Sequence, residues 1–387
     1  MPAVMVDVAP VIIDWVIQST SSTNIDTGII SKLIKWRSGE KKPTFNQVES
    51  VSKATRIPLG YFFLQSPPAE SFPVLQYRTI DSVYTGNPSR DLVDTINDME
   101  SIQEWMHGFM IDSGYDKLNF VGSCRYEKDK KAVVQNFLKT LNISADWYKK
   151  VNAKTDAFKY FRSKFEEIGI LVMMSGIVGN NTHRSLEIEE FRAFTLIDDY
   201  APLIFINSND SQGAKLFSLL HEVAHIWFGV SNFYNDRYGN ANDVNEIEVL
   251  CNAVAAEILV PSNYFEIEWA RQNGQQLNRK IQLLANIFSC GGVVIARKAL
   301  DARYISKDQY QNIVDEAIQQ FKSSRKKNSG GGGDYYATAA TRIDNRFIVA
   351  LDNSVREGKT QFTDAYRLTN TNRMTFSNLV EEVRGIS

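Results

Sequence analysis

The sequence predicts an α+β fold, and three observations carry that reading. Ile170–Ser175, Phe191–Ile197 and Pro202–Asn207 are short runs rich in β-branched and aromatic residues, the pattern of strands. Directly after them, Asp210–Phe228 and Asn242–Val260 read as long helices, stopped by Gly229 and by Pro261. Amphipathic helical stretches flank this centre on both sides.

The expected organisation follows from these segments in order. Residues 1–68 form a helical N-terminal module. The apolar anchors Ile30, Leu33, Ile34 and Trp36 precede a turn at Ser38-Gly39-Glu40, and Pro43-Thr44 opens a helix carrying Val48 and Val51. Ser66-Pro67-Pro68 ends the module. Residues 69–150 form a connecting region, extended to about residue 85 and then helical over Asp91–Asp112 and Asp129–Leu141. Residues 151–324 hold a small mixed sheet and the two long helices, followed by a helical region over Leu277–Lys322. Ser323–Gly333 reads as a polar, glycine-rich joint. The C-terminal extension, 325–387, carries helices near Arg346–Arg356 and Phe362–Leu368.

At 387 residues the chain can bury more than one core. Its formal net charge of −2 gives no global electrostatic argument for nucleic acid or an anionic membrane. Cys124, Cys251 and Cys290 are odd in number and far apart, which excludes a disulfide framework and fits a reducing compartment. Asp7 and Asp14 interrupt the N-terminal apolar stretch, so no signal peptide is read. No run approaches the ~18 apolar residues of a membrane span. The expectation is a soluble, cytoplasmic protein with no membrane partner.

The chemistry concentrates in His221-Glu-Val-Ala-His225. On a helix, residues four apart project from one face, so two imidazoles can reach one ion. Glu222 beside the first ligand can act as general base, taking a proton from water at the metal. With 4 His and 45 acidic residues, a shuffled chain gives this pattern roughly 0.005 times. Leu216, Leu219, Leu220, Val223, Ile226 and Trp227 make the helix apolar on several sides, hence buried. Two histidines and a glutamate there need compensation, which a zinc ion (Zn2+) supplies. The plain alternative is a pair of hydrogen-bonded core histidines.

A catalytic zinc site needs a third protein ligand. Glu248 on the next helix is the choice, with Glu246 and Glu257 as competitors. Asp243-Val-Asn-Glu246 has the form of a capping box, which gives Glu246 a structural role. Asn252, one turn beyond Glu248, is the candidate to hydrogen-bond a ligand histidine from behind. Ala253, Ala255 and Ala256 allow the two helices to pack closely. Pro202–Asn207, if at a sheet edge, could pair with a substrate strand; the alternative is a core strand.

PLIFINSNDSQGAKLFSLLHEVAHIWFG followed by NEIEVLCNAVAAEILVP resembles the core of the ImmA/IrrE family of metallopeptidases. Glu248, Asn252, Ala255, Ala256 and Pro261 match its second element. WRSGEKKPTFNQVESVSKATRIPLGYFFL resembles the trailing part of the Xre-type helix-turn-helix of long members, and FPVLQYRTID the segment after it. EEFRAFTLID resembles the strand carrying a family arginine, here Arg192, and the tail resembles the long-form extension. The resemblance implies a zincin-like domain with the HExxH helix, and a zinc-dependent endopeptidase that cuts a repressor- or antitoxin-like protein. Toxin–antitoxin and stress-response settings, with a toxin as a further partner, follow from the same source. The rival expectation is a non-proteolytic antitoxin or transcriptional regulator using the zinc domain for binding.

One departure concerns DNA. A complete helix-turn-helix needs a second helix, a tight turn and a recognition helix, but Ser19–Thr27, where that pair should begin, is polar and loop-like. Lys32, Lys35, Arg37, Lys41 and Lys42 still form a basic cluster able to touch phosphates; a solvated face is the alternative. His183 is a candidate to stabilise the oxyanion and Arg192 to contact substrate, against a loop residue and a sheet-supporting ion pair. Tyr234 and Tyr238 are candidate lid residues, Cys251 reads as small apolar packing, and His107 as structural.

Overall fold

The computed structural model describes residues 4–20, 26–68, 76–78, 88–151, 154–229, 241–327 and 341–385, without the side chains of 76–78, 154–156, 241–245 and 325–327. These residues fall into two compact units: Met1–Pro73 with Val83–Asn97, and Val74–Ser82 with Asp98–Ser387. Among them no single helix is long and apolar enough to cross a membrane.

The first unit packs three helices, α1 (Pro10–Ser19), α2 (Thr27–Arg37) and α3 (Phe45–Thr55), with a 3-10 turn at Leu59–Phe63. Pro10 sits in the first turn of α1, where its missing N–H costs nothing. Thr44 and Gln47 close a capping box at the start of α3. The buried stripe is Ile12, Ile13, Val16, Leu33, Trp36, Val48, Val51, Ile57 and Phe62. Residues 21–25, within the polar stretch noted above, lie outside the described residues.

In the second unit, β1 (Gln76–Arg78), β2 (Leu171–Ser175), β3 (Ala193–Leu196) and β4 (Leu203–Asn207) form one sheet in the order β1-β3-β4-β2. β3 is antiparallel to both its neighbours, and β4 is parallel to β2. β4 therefore lies inside the sheet, buried along its whole length, and the edge position considered for Pro202–Asn207 is corrected. A central strand is covered on both faces, which is why Leu203–Ile206 reads as an unbroken apolar run.

The helices of this unit are α4 (Arg90–Asp112, beginning in the first unit), α5 (Lys130–Thr140), α6 (Lys154–Ile168), α7 (Gln212–Phe228), α8 (Ala241–Leu259), α9 (Ser262–Arg271), α10 (Leu277–Ile287), α11 (Gly292–Asp301), α12 (Lys307–Lys327), α13 (Asn345–Arg356), α14 (Phe362–Thr369) and α15 (Arg373–Arg384). α6, α9 and α15 are additions to the expected elements. α12 continues through Lys327, so the first part of the expected joint is helical; residues 328–340 lie outside the described residues.

Strand parity sorts the sheet. Val172, Ala193, Ile204 and Ile206 join the core with Phe161 and Phe165 of α6 and Leu219, Leu220 and Val223 of α7. On the other parity, Phe194 stacks on Phe205 with centroids 5.1 Å apart. The C-terminal extension docks on β2: the Asp344 carboxylate accepts from the Val172 N–H (3.1 Å) and from the Phe347 N–H (3.1 Å), closing the sheet edge and capping α13 together. Arg162 donates to the carbonyls of Val172 and Ile343, both at 3.0 Å.

α7 is closed at both ends. The Ser211 hydroxyl accepts from the Ala214 N–H, and Gly229 takes the left-handed conformation (φ 62°). The carbonyls of the last turn are met from outside, since Gly122 N–H donates to Ile226 (2.9 Å) and Cys124 N–H to Trp227 (2.9 Å). Gly229 and Gly122 meet backbone to backbone, and a Cβ on Gly229 would lie 2.8 Å from the Gly122 Cα. Gly358 has a similar φ of 71° but nothing within 4 Å. Gly229→Ala is thus expected to lower stability by about 1–3 kcal/mol more than Gly358→Ala. Urea midpoints of the two variants check this, and equal losses would show that the close approach carries no cost.

Candidate metal centre

α7 is an apolar helix that buries His221, Glu222 and His225 at 2%, 1% and 1% exposure. α8 packs along it through Cys251, Val254 and Ala255 and brings Glu248 to the two imidazoles. The His221 and His225 Nε2 atoms are 3.1 Å apart. Glu248 Oε2 lies 3.2 Å from His221 Nε2, and Oε1 lies 3.3 Å from His225 Nε2. Among the described residues this is the group of His, Cys, Asp and Glu side chains able to hold a metal ion.

These separations test the fit. Two imidazole nitrogens and a carboxylate converging out of water need a cation between them, either protons or a metal ion. Ligands held at 2.0–2.1 Å from a tetrahedral zinc are about 3.3 Å from one another, the spacing found here. The donor set, two imidazoles and one carboxylate, is that of catalytic rather than structural zinc. Glu248 is the most exposed of the three, with its side chain 31% accessible.

The electrostatics agree with a pair of opposite charges. Burial alone would raise the Glu248 carboxyl, but the hydrogen bonds and charge of His221 and His225 hold it well below the usual carboxylate range. Burial likewise opposes a proton on His225, and Cys251 and Glu248 outweigh it, raising that imidazole well above its ordinary value.

Two side chains at the centre were not expected there. Thr195 Oγ1 on β3 lies 2.7 Å from Glu222 Oε2. Cys251 Sγ lies 3.5 Å from His225 Nδ1, the nitrogen turned away from the cluster. The partner behind His225 is therefore Cys251 where Asn252 was expected. Asn252 is one position further round α8, and among the described residues it makes no hydrogen bond to either histidine.

The other candidates lie apart from the cluster. Glu246 is exposed, and because α8 already begins at Ala241, Asp243 is inside the helix rather than capping it. Glu257 faces Lys298 (2.6 Å) and accepts from the N–H (2.8 Å) and hydroxyl (2.7 Å) of Ser262. Arg192 pairs with the buried carboxylate of Asp210 at 2.8 Å, joining the end of the sheet to the start of α7. His183 is exposed in the β2–β3 loop, where its N–H donates to the Asn181 side chain. His107 pairs with Asp198 at 2.8 Å. Tyr234 and Tyr238 lie outside the described residues.

In the first unit the basic cluster is largely matched by acid. Arg37 pairs with Asp14 (2.5 Å), Lys42 with Asp7 (2.7 Å) and Lys35 with Glu40 (3.8 Å). Lys32 and Lys41 remain as exposed side chains facing solvent. Three of the five phosphate candidates thus face carboxylates across exposed ion pairs.

Comparison with known families agrees with the geometry. Residues 165–299 match the model of the M78 peptidases, described as the IrrE N-terminal-like domain. The matched stretch holds both histidines, Glu222, Glu248, Thr195 and Cys251. Residues 343–382 match a domain of unknown function. No curated protein and no solved structure matches the chain. The match supports a metallopeptidase, a hydrolase, for this part of the protein.

Purified protein supplied with zinc is expected to bind about one ion per chain through this donor set, and His221→Ala and Glu248→Ala are each expected to lose it. Elemental analysis decides; zinc retained by Glu248→Ala would remove Glu248 from the ligand set. The Glu257 carboxyl gives a separate expectation. Burial would raise it, but Lys298 and the Ser262 N–H hold it down to about 2 from an ordinary 4.5. A depressed carboxyl stabilises the fold above its unfolded value and loses that contribution as pH falls through the folded one. Glu257→Gln should remove a pH dependence of stability between about 4.5 and 2, which urea titrations of both proteins at several pH values measure.

Proposed function

We propose that this chain is a zinc-dependent endopeptidase that cuts a regulatory protein of repressor or antitoxin type. The observation that supports it most is Glu222, a buried carboxylate adjacent in sequence to His221 and built into the same helix turn as the three-residue donor cluster. A structural zinc site has no use for such a group, and a hydrolytic one needs it as proton carrier.

His221, His225 and Glu248 would hold the ion. When bound, zinc supplies a Lewis acid for the scissile carbonyl and lowers the pKa of water at the site towards ~7. The remaining work falls to the protein. Glu222 takes the proton from the attacking water and later delivers it to the leaving amine, so the two proton transfers use one carboxylate. The apolar walls around α7 keep bulk water from competing for that proton.

The regulator as substrate rests on the resemblance of almost the whole chain to long ImmA/IrrE forms, a DNA-binding partner or antitoxin being the expected class. The test compares zinc-loaded wild type with Glu222→Gln on a cell extract, reading new protein N-termini by mass spectrometry. Wild type should generate a small set of new termini in one or a few regulators. Glu222→Gln should keep its zinc and lose that cleavage by about 10²–10⁴-fold. A Glu222→Gln protein that remains fully functional in cells would favour the binding-module reading.

A further inference from the structure

We propose that Thr195 is the positioning residue of the Glu222 base, so that the proton carrier is aimed from the sheet and not from its own helix. The inference rests on the peptidase reading above and goes one residue deeper.

Thr195 is 1% exposed and sits in the middle of β3, its backbone paired with Gln76 on one side and Ile204 on the other. Its Oγ1 stands 2.7 Å from Glu222 Oε2 and 3.2 Å from the Glu222 carbonyl oxygen. A hydroxyl has one proton to give, and the closer acceptor, the side-chain oxygen, takes it. The hydroxyl therefore lies between the main chain and the carboxylate of a single residue. That contact selects one arrangement of the Glu222 side-chain torsions and fixes the plane of its carboxylate. With Oε2 anchored, the direction of Oε1 is set as well.

The neighbourhood suits this role better than simple packing. β3 presents Ala193 and Thr195 towards α7 and keeps Phe194 and Leu196 on the opposite parity. Small residues on that side let helix and strand approach closely enough for a short hydroxyl to reach. A valine would satisfy the strand, the packing and the burial equally well. Only the hydrogen bond distinguishes threonine here. Its β-branched side chain also has few rotamers, so the donor itself is stiff. Metal ligands stand on α7 and α8, and the base is steadied by a third element.

The test uses the full-length protein as Thr195→Val and Thr195→Ser beside wild type and Glu222→Gln. All four should bind zinc equally, since neither Thr195 nor Glu222 is among the three ligands. Thr195→Val should stay folded but melt lower, because it takes a donor from a buried carboxylate. In Thr195→Val, kcat should fall about tenfold to a hundredfold with KM within about twofold, the signature of a misaimed group that does not bind substrate. Thr195→Ser, which keeps the hydroxyl, should recover most of the rate. Thr195→Val should add little on top of Glu222→Gln, because the two residues act as one unit. A crystal structure of Thr195→Val should show the Glu222 carboxylate turned from its wild-type direction.

Unchanged kcat in Thr195→Val, or a Glu222 carboxylate in its wild-type place, would overturn the proposal. The crystallographic reading also separates the two claims. If wild type cuts no protein, the peptidase reading fails alone, while movement of Glu222 in Thr195→Val still decides whether Thr195 holds it.

Discussion

The organising constraint of the central domain is a charge problem. Two buried imidazole nitrogens of α7 and a partly exposed carboxylate of α8 converge within 3.1–3.3 Å. Such an arrangement persists only with a cation inside it and with neighbours that leave no room for the side chains to swing apart. The packing of α7 between the sheet and α8 answers the second need. Small residues line the contact on both sides, Ala193 and Thr195 from β3 and Cys251 and Ala255 from α8. The apolar bulk, Phe161, Phe165, Leu219, Trp227 and Phe228, fills the space around them.

How far this was readable in the amino-acid order depends on sequence distance. His221, Glu222 and His225 are written within one helix turn, so their joint direction follows from helical geometry alone. Glu248 required one further step, a second helix whose small residues allow close packing. β2, β3, β4, α7 and α8 announced themselves by period and by glycine or proline stops. Thr195 and Cys251 had no such signal. The role of Thr195 depends on the register of β3 against β4 and on which strand parity faces α7, neither of which a strand's own letters reveal. Cys251 differs from Asn252 by a single step round a helix, and one-residue rotations are beyond what spacing arguments resolve. The position of β4 illustrates the same limit: an apolar run is consistent with either a covered edge or a centre until its neighbours are known. α6 is a different case. Its stripe of Ala157, Phe158, Phe161 and Phe165 has plain helical spacing.

The C-terminal extension meets the sheet through main-chain chemistry. One carboxylate, Asp344, accepts from the outer edge of β2 and from the first turn of α13, so an exposed strand edge and an open helix end satisfy each other. Burial raises this carboxyl, and the N–H donors of Val172 and Phe347 with the charges of Arg162 and Arg346 oppose that rise. An edge closed this way is not offered to a passing chain.

The loop that closes the C-terminal end of α7 has a consequence for modularity. Gly122 and Cys124 lie upstream of the stretch that matches the peptidase family, residues 165–299, yet they supply N–H groups that finish α7, the helix of His221 and His225. The matched stretch therefore does not contain every group that closes α7. A graft or fusion that carried only the matched stretch would remove the Gly122 and Cys124 donors from the carbonyls of Ile226 and Trp227, within one turn of the second histidine. The Gly122–Cys124 segment belongs to the same compact unit as α7, and it must travel with it.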